Sequence, residues 1–326
     1  MTIPAILISA VLSYALNALA VRGIGVRAPL DLPNERSLHT RPVPRVGGLG
    51  VVAGVVASLL APDAFNLVVG LAVALAALSL IDDWRHLPAS ARLAGHLAAA
   101  AAYCVVAVAA EPLELLALIV AVGWMTNLYN FMDGSDGLAG GMAAIGFGTY
   151  LLAAWSAGDC ALVTICGCIV TASIAFLFFN FHPARIFMGD VGSIPLGFLA
   201  AALGIEGAVR GAWPGWFPVV VFAPFIADGS ITLLRRLARG EKVWRAHRGH
   251  YYQRLVLMGW GHRRTALAEY ALMVGTGVAA LMAMQMTPGV QGVILAVLAL
   301  GYLALAAFVD RWWRRWNAAA VRRGPP

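Results

Sequence analysis

Charge is scarce in this chain. Only 12% of its 326 residues are Asp, Glu, Lys or Arg, against 61% that are hydrophobic, and the mean hydropathy is +0.80. A soluble domain carries about 25% charged residues, so this composition excludes an ordinary water-facing surface. Long polar stretches are also missing. The two longest, 22–46 and 235–264, are too short to bury a core of their own. The four cysteines (Cys104, Cys160, Cys166 and Cys168) lie in or beside apolar runs. Cys166-Gly-Cys168 lacks metal-binding spacing and a neighbouring His, which makes these thiols small apolar packers. The chain has no basic–aromatic groove pattern, so its net charge of +7 does not point to nucleic acid. No basic segment precedes the first apolar run and no small-residue cleavage pattern ends it. Residues 1–21 are therefore read as a retained helix. Neither a fixed-period repeat nor a low-complexity linker interrupts the chain.

What is present is a series of apolar runs: 1–21, 47–61, 66–81, 93–110, 113–128, 140–157, 160–179, 193–206, 214–234, 265–286 and 290–309. A membrane-spanning helix needs about 20 mostly apolar residues. The expectation is one all-α, polytopic membrane domain over residues 1–326, with about 11 spanning helices (10–11). Alternating the connections sorts the charge. All but one of the 23 Lys and Arg residues fall on one side, within 22–46, 82–92, 180–193, 235–264 and the tail. The other side holds Arg210, with Asp63, Glu111, Glu114, Asp159 and Glu206. Positive charge stays cytoplasmic, so the N-terminus is expected outside and the C-terminus inside. Arg311-Trp-Trp-Arg314-Arg315-Trp316 fits an interfacial anchor, with indoles at headgroup depth. Basic loops also attract anionic lipids and substrates.

The acidic motifs lie on that same basic side. Asp82-Asp83 follow an apolar run, and adjacent carboxylates repel unless a cation, a basic partner or water intervenes. In 127–141, Asn127 and Asn130 are three apart and share a helix face near Asp133. Asp136 follows, and Gly134, Gly137, Gly140 and Gly141 permit close backbone approach to an anion. The segment is too apolar for a calcium loop and has no Glu at the twelfth position. In 180–193, Asn180, His182, Arg185 and Phe187 precede Asp190, which sits between Gly189 and Gly192. Asp228 falls inside an apolar run beside Pro224 and Gly229, where ionisable groups are usually functional; pairing with Arg235 or Arg236 is its bland alternative. His247, Arg248 and His250 occupy the most basic loop and could bind pyrophosphate or a metal. Asp-rich and Arg/His-rich loops on one face suit a divalent ion with a diphosphate. Few carboxylates with substrate phosphates suit Mg²⁺.

In order and spacing these motifs resemble the polyprenyl-phosphate N-acetylhexosamine-1-phosphate transferases. The matching pieces are Ser37-Leu-His-Thr40-Arg-Pro42-Val-Pro44-Arg-Val-Gly47-Gly48, Asp82-Asp83, Asn127–Gly137, Ala184–Ser193 and the histidine loop, spanning residues 37 to about 254. The resemblance implies catalytic roles for Asp82, Asp83, Asp133 and Asp190, with Asp190 and Asp83 on Mg²⁺ (or Mn²⁺). It implies substrate contacts from Asn127, Asn130, Asp136, Asn180, Phe187, Asp228, His247, Arg248 and His250. Among these, Phe187 would stack on the uracil, Asn180 and Asp136 would hold the uridine, and the histidines the diphosphate or sugar. A helix broken near 224–229 would place Asp228 at the lipid or sugar groove. The implied setting is the bacterial inner membrane, crossed many times, with the site facing the cytoplasm. Membrane lipids and the two substrates are the expected partners, with a homodimer left open.

The implied reaction transfers an N-acetylhexosamine-1-phosphate from a UDP-sugar to undecaprenyl phosphate, releasing UMP and initiating a surface polysaccharide of the O-antigen type. The nucleophile is already anionic, so positioning and charge neutralisation carry the rate. A direct in-line step and a route through a phospho-Asp both fit; the direct step leaves both members of the Asp82-Asp83 pair a use. The peptidoglycan translocases of the family carry a Lys soon after their Asp-Asp and three consecutive histidines. Here Trp84-Arg85-His86 and His247-Arg-Gly-His250 stand instead, which points away from muramoyl-pentapeptide. That translocase is the nearest alternative. A transporter is the alternative from another class, suited to Asp228 and a broken helix, but without paired broken segments in two halves.

Overall fold

The computed structural model describes residues 2–24, 29–33, 38, 41–61, 65–242 and 247–323. Ser37, His39 and Thr40 of the first motif lie outside the described residues, as do Arg27, Arg36, Asp63 and Arg245. The apolar runs are helices: α1 (Thr2–Val21), α2 (Gly47–Val56, continued by a 3-10 turn to Leu60), α3 (Asn66–Arg85), α4 (Ala89–Ala107), α5 (Pro112–Phe131), α6 (Leu138–Ala157) and α7 (Cys160–Asn180). They continue as α8 (Asp190–Val209), α9 (Phe217–Val221), α10 (Ala223–Ala238), α11 (Tyr251–Leu255), α12 (Gly261–Met284) and α13 (Pro288–Arg323). A two-residue ladder pairs β1 (Leu30–Asp31) antiparallel with β2 (Val43–Pro44).

Among the described residues, nine helices are long and apolar enough to cross a membrane. Two of the eleven expected runs fall short. Residues 47–61 form a helix ending at Leu60, and 214–234 is split into α9 and α10. The split comes at Phe222, earlier than the expected 224–229. Pro224 has no N–H to return to the preceding turn, so the interruption precedes the proline and Asp228 lies in the helix beyond it. Several polar segments are also shorter than the sequence suggests. Asp82 and Asp83 belong to the last turn of α3, Asn127 and Asn130 to α5.

α8 is buried along nearly its whole length and packs against α3 and α5; α7 lies between α1 and α6. Small residues and backbone acceptors hold this packing, as expected where lipid replaces the hydrophobic drive between helices. Ser9 and Ser13 of α1 donate to the Cys168 and Ala172 carbonyls of α7, at 2.7 and 2.8 Å. Large apolar side chains such as Val11, Val297 and Leu300 face outward, the inverse of a soluble surface. At one end, Arg210 pairs with Asp159 (3.1 Å) and Glu206 (2.8 Å), which neutralises the one basic residue assigned to that side.

The other end is closed by a strand-like docking. Phe187 N–H donates to Pro44 O (2.7 Å), while Gly47 and Gly48 N–H donate to the Phe187 and Met188 carbonyls (2.9 Å each). This brings the start of α2 onto the start of α8. A Cβ on Gly48 would stand 2.3 Å from the Gly192 nitrogen, a contact with backbone that cannot move aside. Gly48→Ala is expected to destabilise the protein by about 1–3 kcal/mol, the usual cost of overpacking. Gly70→Ala, where nothing lies within 4 Å, should leave the melting temperature in detergent unchanged or slightly raised. Equal melting temperatures for the two variants would show that the α2–α8 approach is not a tight constraint.

Candidate active site at one end of the bundle

Three carboxylates converge where α3 ends, α5 ends and α8 begins. Asp190, first residue of α8, lies within electrostatic range of both Asp83 and Asp133. Guanidiniums are interleaved with them. Arg45, from the segment after β2, pairs with Asp83. Arg92, one turn into α4, reaches Asp82 at 3.0 Å and Asp190 at 3.9 Å. Asp82 also accepts from Leu87 N–H at 2.7 Å, which pins the α3–α4 turn. The side chain of Asp190 is 28% exposed, against 8% for Asp83 and 13% for Asp82. Asp190 is thus more open to an incoming group than Asp82 or Asp83. Burial and the neighbouring Asp190 hold the Asp133 carboxyl well above the usual range, opposed by a backbone hydrogen bond from Gly189. On α5, Asn127 contacts His96 (3.1 Å) and Asn130 accepts from Ser193 Oγ (2.8 Å), so both amides face α4 and α8 at this end.

A second group frames Phe187. Asn180 is buried; its Oδ1 accepts from Gly137 N–H and its Nδ2 donates to Ile186 O, both at 2.9 Å. Asp136 Oδ2 contacts His182 Nδ1 (2.7 Å) and accepts from Ala184 N–H (3.1 Å). His262 meets Ser135 Oγ at 2.9 Å and stacks on His182 with ring centroids 5.5 Å apart. Phe187 itself is partly exposed.

The third group is built around Asp228. Its two oxygens accept from the backbone N–H of Tyr251 (2.9 Å) and Tyr252 (3.0 Å), and Oδ1 contacts His250 Nδ1 at 3.1 Å. A carboxylate at the first N–H groups of α11 is favourable. His247 stacks on buried His250 at 4.8 Å, and Arg248 lies between them in sequence. Burial, then His250 and Arg236, lower His247 to about 4. It is therefore neutral near pH 7. Its Nδ1 accepts from Gly249 N–H (2.9 Å), which leaves the proton on Nε2 as a neutral donor. Tyr252 donates to Phe131 O (3.1 Å), fixing this loop over the end of α5.

The expected residues thus gather at one end, as the charge alternation required. Asp82, Asp83, Asp133 and Asp190 form one group, Asp136, Asn180 and Phe187 a second, Asp228, His247 and His250 a third. Three residues were not singled out from the sequence as site residues. Arg45 stood in the first motif without a role of its own, Arg92 counted only as membrane-side charge, and His96 lay within an apolar run. The available signal for the arginines was physical: adjacent carboxylates need cations, and Arg92 follows Asp82 by little more than a turn and a loop. Among the described residues, no three His, Cys, Asp or Glu side chains are grouped tightly enough to cage a metal. The carboxylates present do fit a hard cation that takes one or two protein ligands and completes its shell with phosphate and water.

The family model described as glycosyl transferase family 4 matches residues 65–208, which run from α3 to the end of α8. A probable undecaprenyl-phosphate N-acetylglucosaminyl 1-phosphate transferase of Bacillus subtilis is 30% identical over 265 residues, covering 74% of each chain. A decaprenyl-phosphate N-acetylglucosaminephosphotransferase of Mycobacterium leprae is 29% identical over 293 residues, 73% of this chain and 72% of its own. A phospho-N-acetylmuramoyl-pentapeptide-transferase of Geobacillus thermodenitrificans is 34% identical, but over 162 residues, about half of either protein (48% and 47%). With its clustered carboxylates at the ends of membrane helices, and with this extent of similarity, the chain belongs to the polyprenyl-phosphate N-acetylhexosamine-1-phosphate transferases, membrane enzymes of glycosyl transferase family 4.

Proposed function

We propose that the protein transfers an N-acetylhexosamine-1-phosphate from a UDP-sugar to undecaprenyl phosphate, releasing UMP at the cytoplasmic face of a bacterial inner membrane. The observation that carries this reading is the alternation of Asp83, Asp190 and Asp82 with Arg45 and Arg92 at one end of the bundle. Two anionic reactants must meet there. The guanidiniums attract their phosphates, and the carboxylates supply hard oxygen ligands for a cation. Asp190 and Asp83 would hold Mg²⁺ or Mn²⁺, with Asp133 beside them. When bound, that ion neutralises charge on the diphosphate. The lipid phosphate is itself the nucleophile, so the residues' work is alignment and charge balance, as in phosphoryl transfer generally.

Phe187 offers its ring to the uracil. Asn180 and Asp136 are engaged with protein groups, so their part is to set the loop that carries it. His247 presents Nε2–H as a neutral donor to diphosphate or sugar oxygens, with Arg248 beside it. Asp228 fixes His250 and the start of α11. The basic bias of the loops supports the cytoplasmic orientation. The relatives matched over three quarters of the chain are named for N-acetylglucosamine transfer, which supports an N-acetylhexosamine donor over the muramoyl-pentapeptide. A surface polysaccharide of the O-antigen type remains the proposed destination. The direct test is UMP release and labelled lipid from a panel of UDP-sugars in detergent; no lipid product from any of them would overturn the reading.

Asp190→Asn and Asp83→Asn are each expected to abolish turnover while the protein still inserts and purifies. Retention of more than about a tenth of parent activity, a loss below ~1.4 kcal/mol, would remove that Asp from the catalytic group. Chelation with EDTA should stop UMP release and added Mg²⁺ or Mn²⁺ should restore it. Undiminished turnover in a metal-free preparation would end the metal role. Phe187→Ala should weaken UDP-sugar binding by ~1–3 kcal/mol, the cost of a lost base–aromatic stack, with Phe187→Tyr milder. A stable Phe187→Ala protein with an unchanged KM for the nucleotide sugar would place the uridine elsewhere.

A further inference from the structure

At the same end of the bundle, α10, α11 and α13 enclose a cavity of about 680 Å³ that none of the roles above uses. Five guanidiniums line it, from Arg235, Arg239, Arg254, Arg311 and Arg314, against one carboxylate, Asp310. Asp310 is already shared: it pairs with Arg235 and, at 2.8 Å, with Arg254. Arg239 reaches Glu241 only at 3.9 Å. Among the described residues, neither Arg311 nor Arg314 pairs with a carboxylate, and both side chains are exposed. The cavity therefore carries an excess of positive charge that the protein does not balance.

Its depth is set by the aromatic residues around it. Trp313 lines the wall, stacked on Trp316 at 5.2 Å and beneath the Arg254 guanidinium at 5.9 Å. Trp312 packs on Trp260 at 5.8 Å. Indoles collect at the headgroup layer. Below them, α13 shows Val293, Val297, Leu300 and Leu303 outward, an apolar face suited to acyl chains. A basic cavity with a tryptophan rim above an apolar helix face matches a molecule with a phosphate head and hydrocarbon tails. Guanidiniums bind phosphate oxygens in pairs through their planar fork. We propose that this cavity binds the phosphate headgroup of an anionic phospholipid, held by Arg311 and Arg314 with Arg235 and Arg254 behind them. Tyr251 does not line the cavity, but its ring lies 4.9 Å under the Arg254 guanidinium and helps hold that side chain in place.

Headgroup binding is separable from sugar-phosphate transfer, so it is read without turnover. The full chain is placed in phosphatidylcholine nanodiscs with increasing phosphatidylglycerol at fixed ionic strength, and its thermal midpoint is followed. The parent midpoint should rise to a plateau, as expected for a ligand of the folded state. In Arg311→Gln/Arg314→Gln the lipid fraction giving half the rise should increase on the order of tenfold. Arg263→Gln/Arg264→Gln removes the same charge from an exposed stretch of α12 outside the cavity and should follow the parent. If the first variant does not purify, Arg314→Gln alone should show part of its shift. No rise in the parent, or equal responses from the two double variants, would overturn the site. Inorganic phosphate raising the parent midpoint as phosphatidylglycerol does would overturn the lipid assignment in favour of a soluble anion.

Discussion

The constraint on which the site depends is the repulsion among carboxylates held at the edge of a low-dielectric bundle. Asp82 and Asp83 are adjacent in one helix turn, and Asp190 opens the helix that packs against it. Such groups can stay ionised together only if cations lie between them. Arg45 and Arg92 do this from two further segments, one beyond the β1–β2 ladder and one at the start of α4. The site therefore exists only when α2, α3, α4 and α8 are assembled. The close approaches of Gly48 to Gly192 and of Gly189 to the Arg45 carbonyl dock the segment carrying Arg45 onto the start of α8.

Much of this was legible in the sequence because a membrane protein separates its signals. The apolar runs gave the helices, and the alternation of basic connections required that Asp82, Asp133, Asp190 and the histidines share one end. The structure brings them there. What was not legible depends on contacts across long sequence gaps. Asp228 falls 23 residues before Tyr251, whose N–H it accepts, and nothing in the local pattern marks it as the cap of another helix. The helix break was expected from Pro224 and Gly229, but a proline disturbs the turn before it, and the interruption sits at Phe222. Residues 47–61 looked like a span by hydropathy, yet the helix starts at a backbone docking and stops at Leu60.

Arg45 lies in the first motif but drew no role from it, and Arg92 lies in none. In a chain with so few charges, a basic residue near a membrane boundary is already accounted for by topology, and nothing local distinguishes a pairing guanidinium from an orienting one. His96 was hidden for the opposite reason. Two residues before the run of alanines Ala98 to Ala102 it sits within an apolar stretch, and it is the Asn127 amide from α5 that shows its surroundings to be polar.

Polar residues at this end divide by what their atoms already touch. Asn180 has both ends of its amide on backbone, Asp136 has its Oδ2 on His182 and Ala184, and Asp228 accepts from two N–H groups and contacts a ring. A buried polar group so engaged rigidifies its loop and has little left to offer a substrate. Asp190, by contrast, approaches a cation only at 3.9 Å and is more exposed than Asp82 or Asp83. A reacting group must exchange partners during turnover, whereas a framing group must not. Under the proposed function, that criterion places Asp190 and the Nε2–H of His247 on the reactive side of the divide. Asn180, Asp136 and Asp228 are the frame that keeps Phe187 and His250 in register with them.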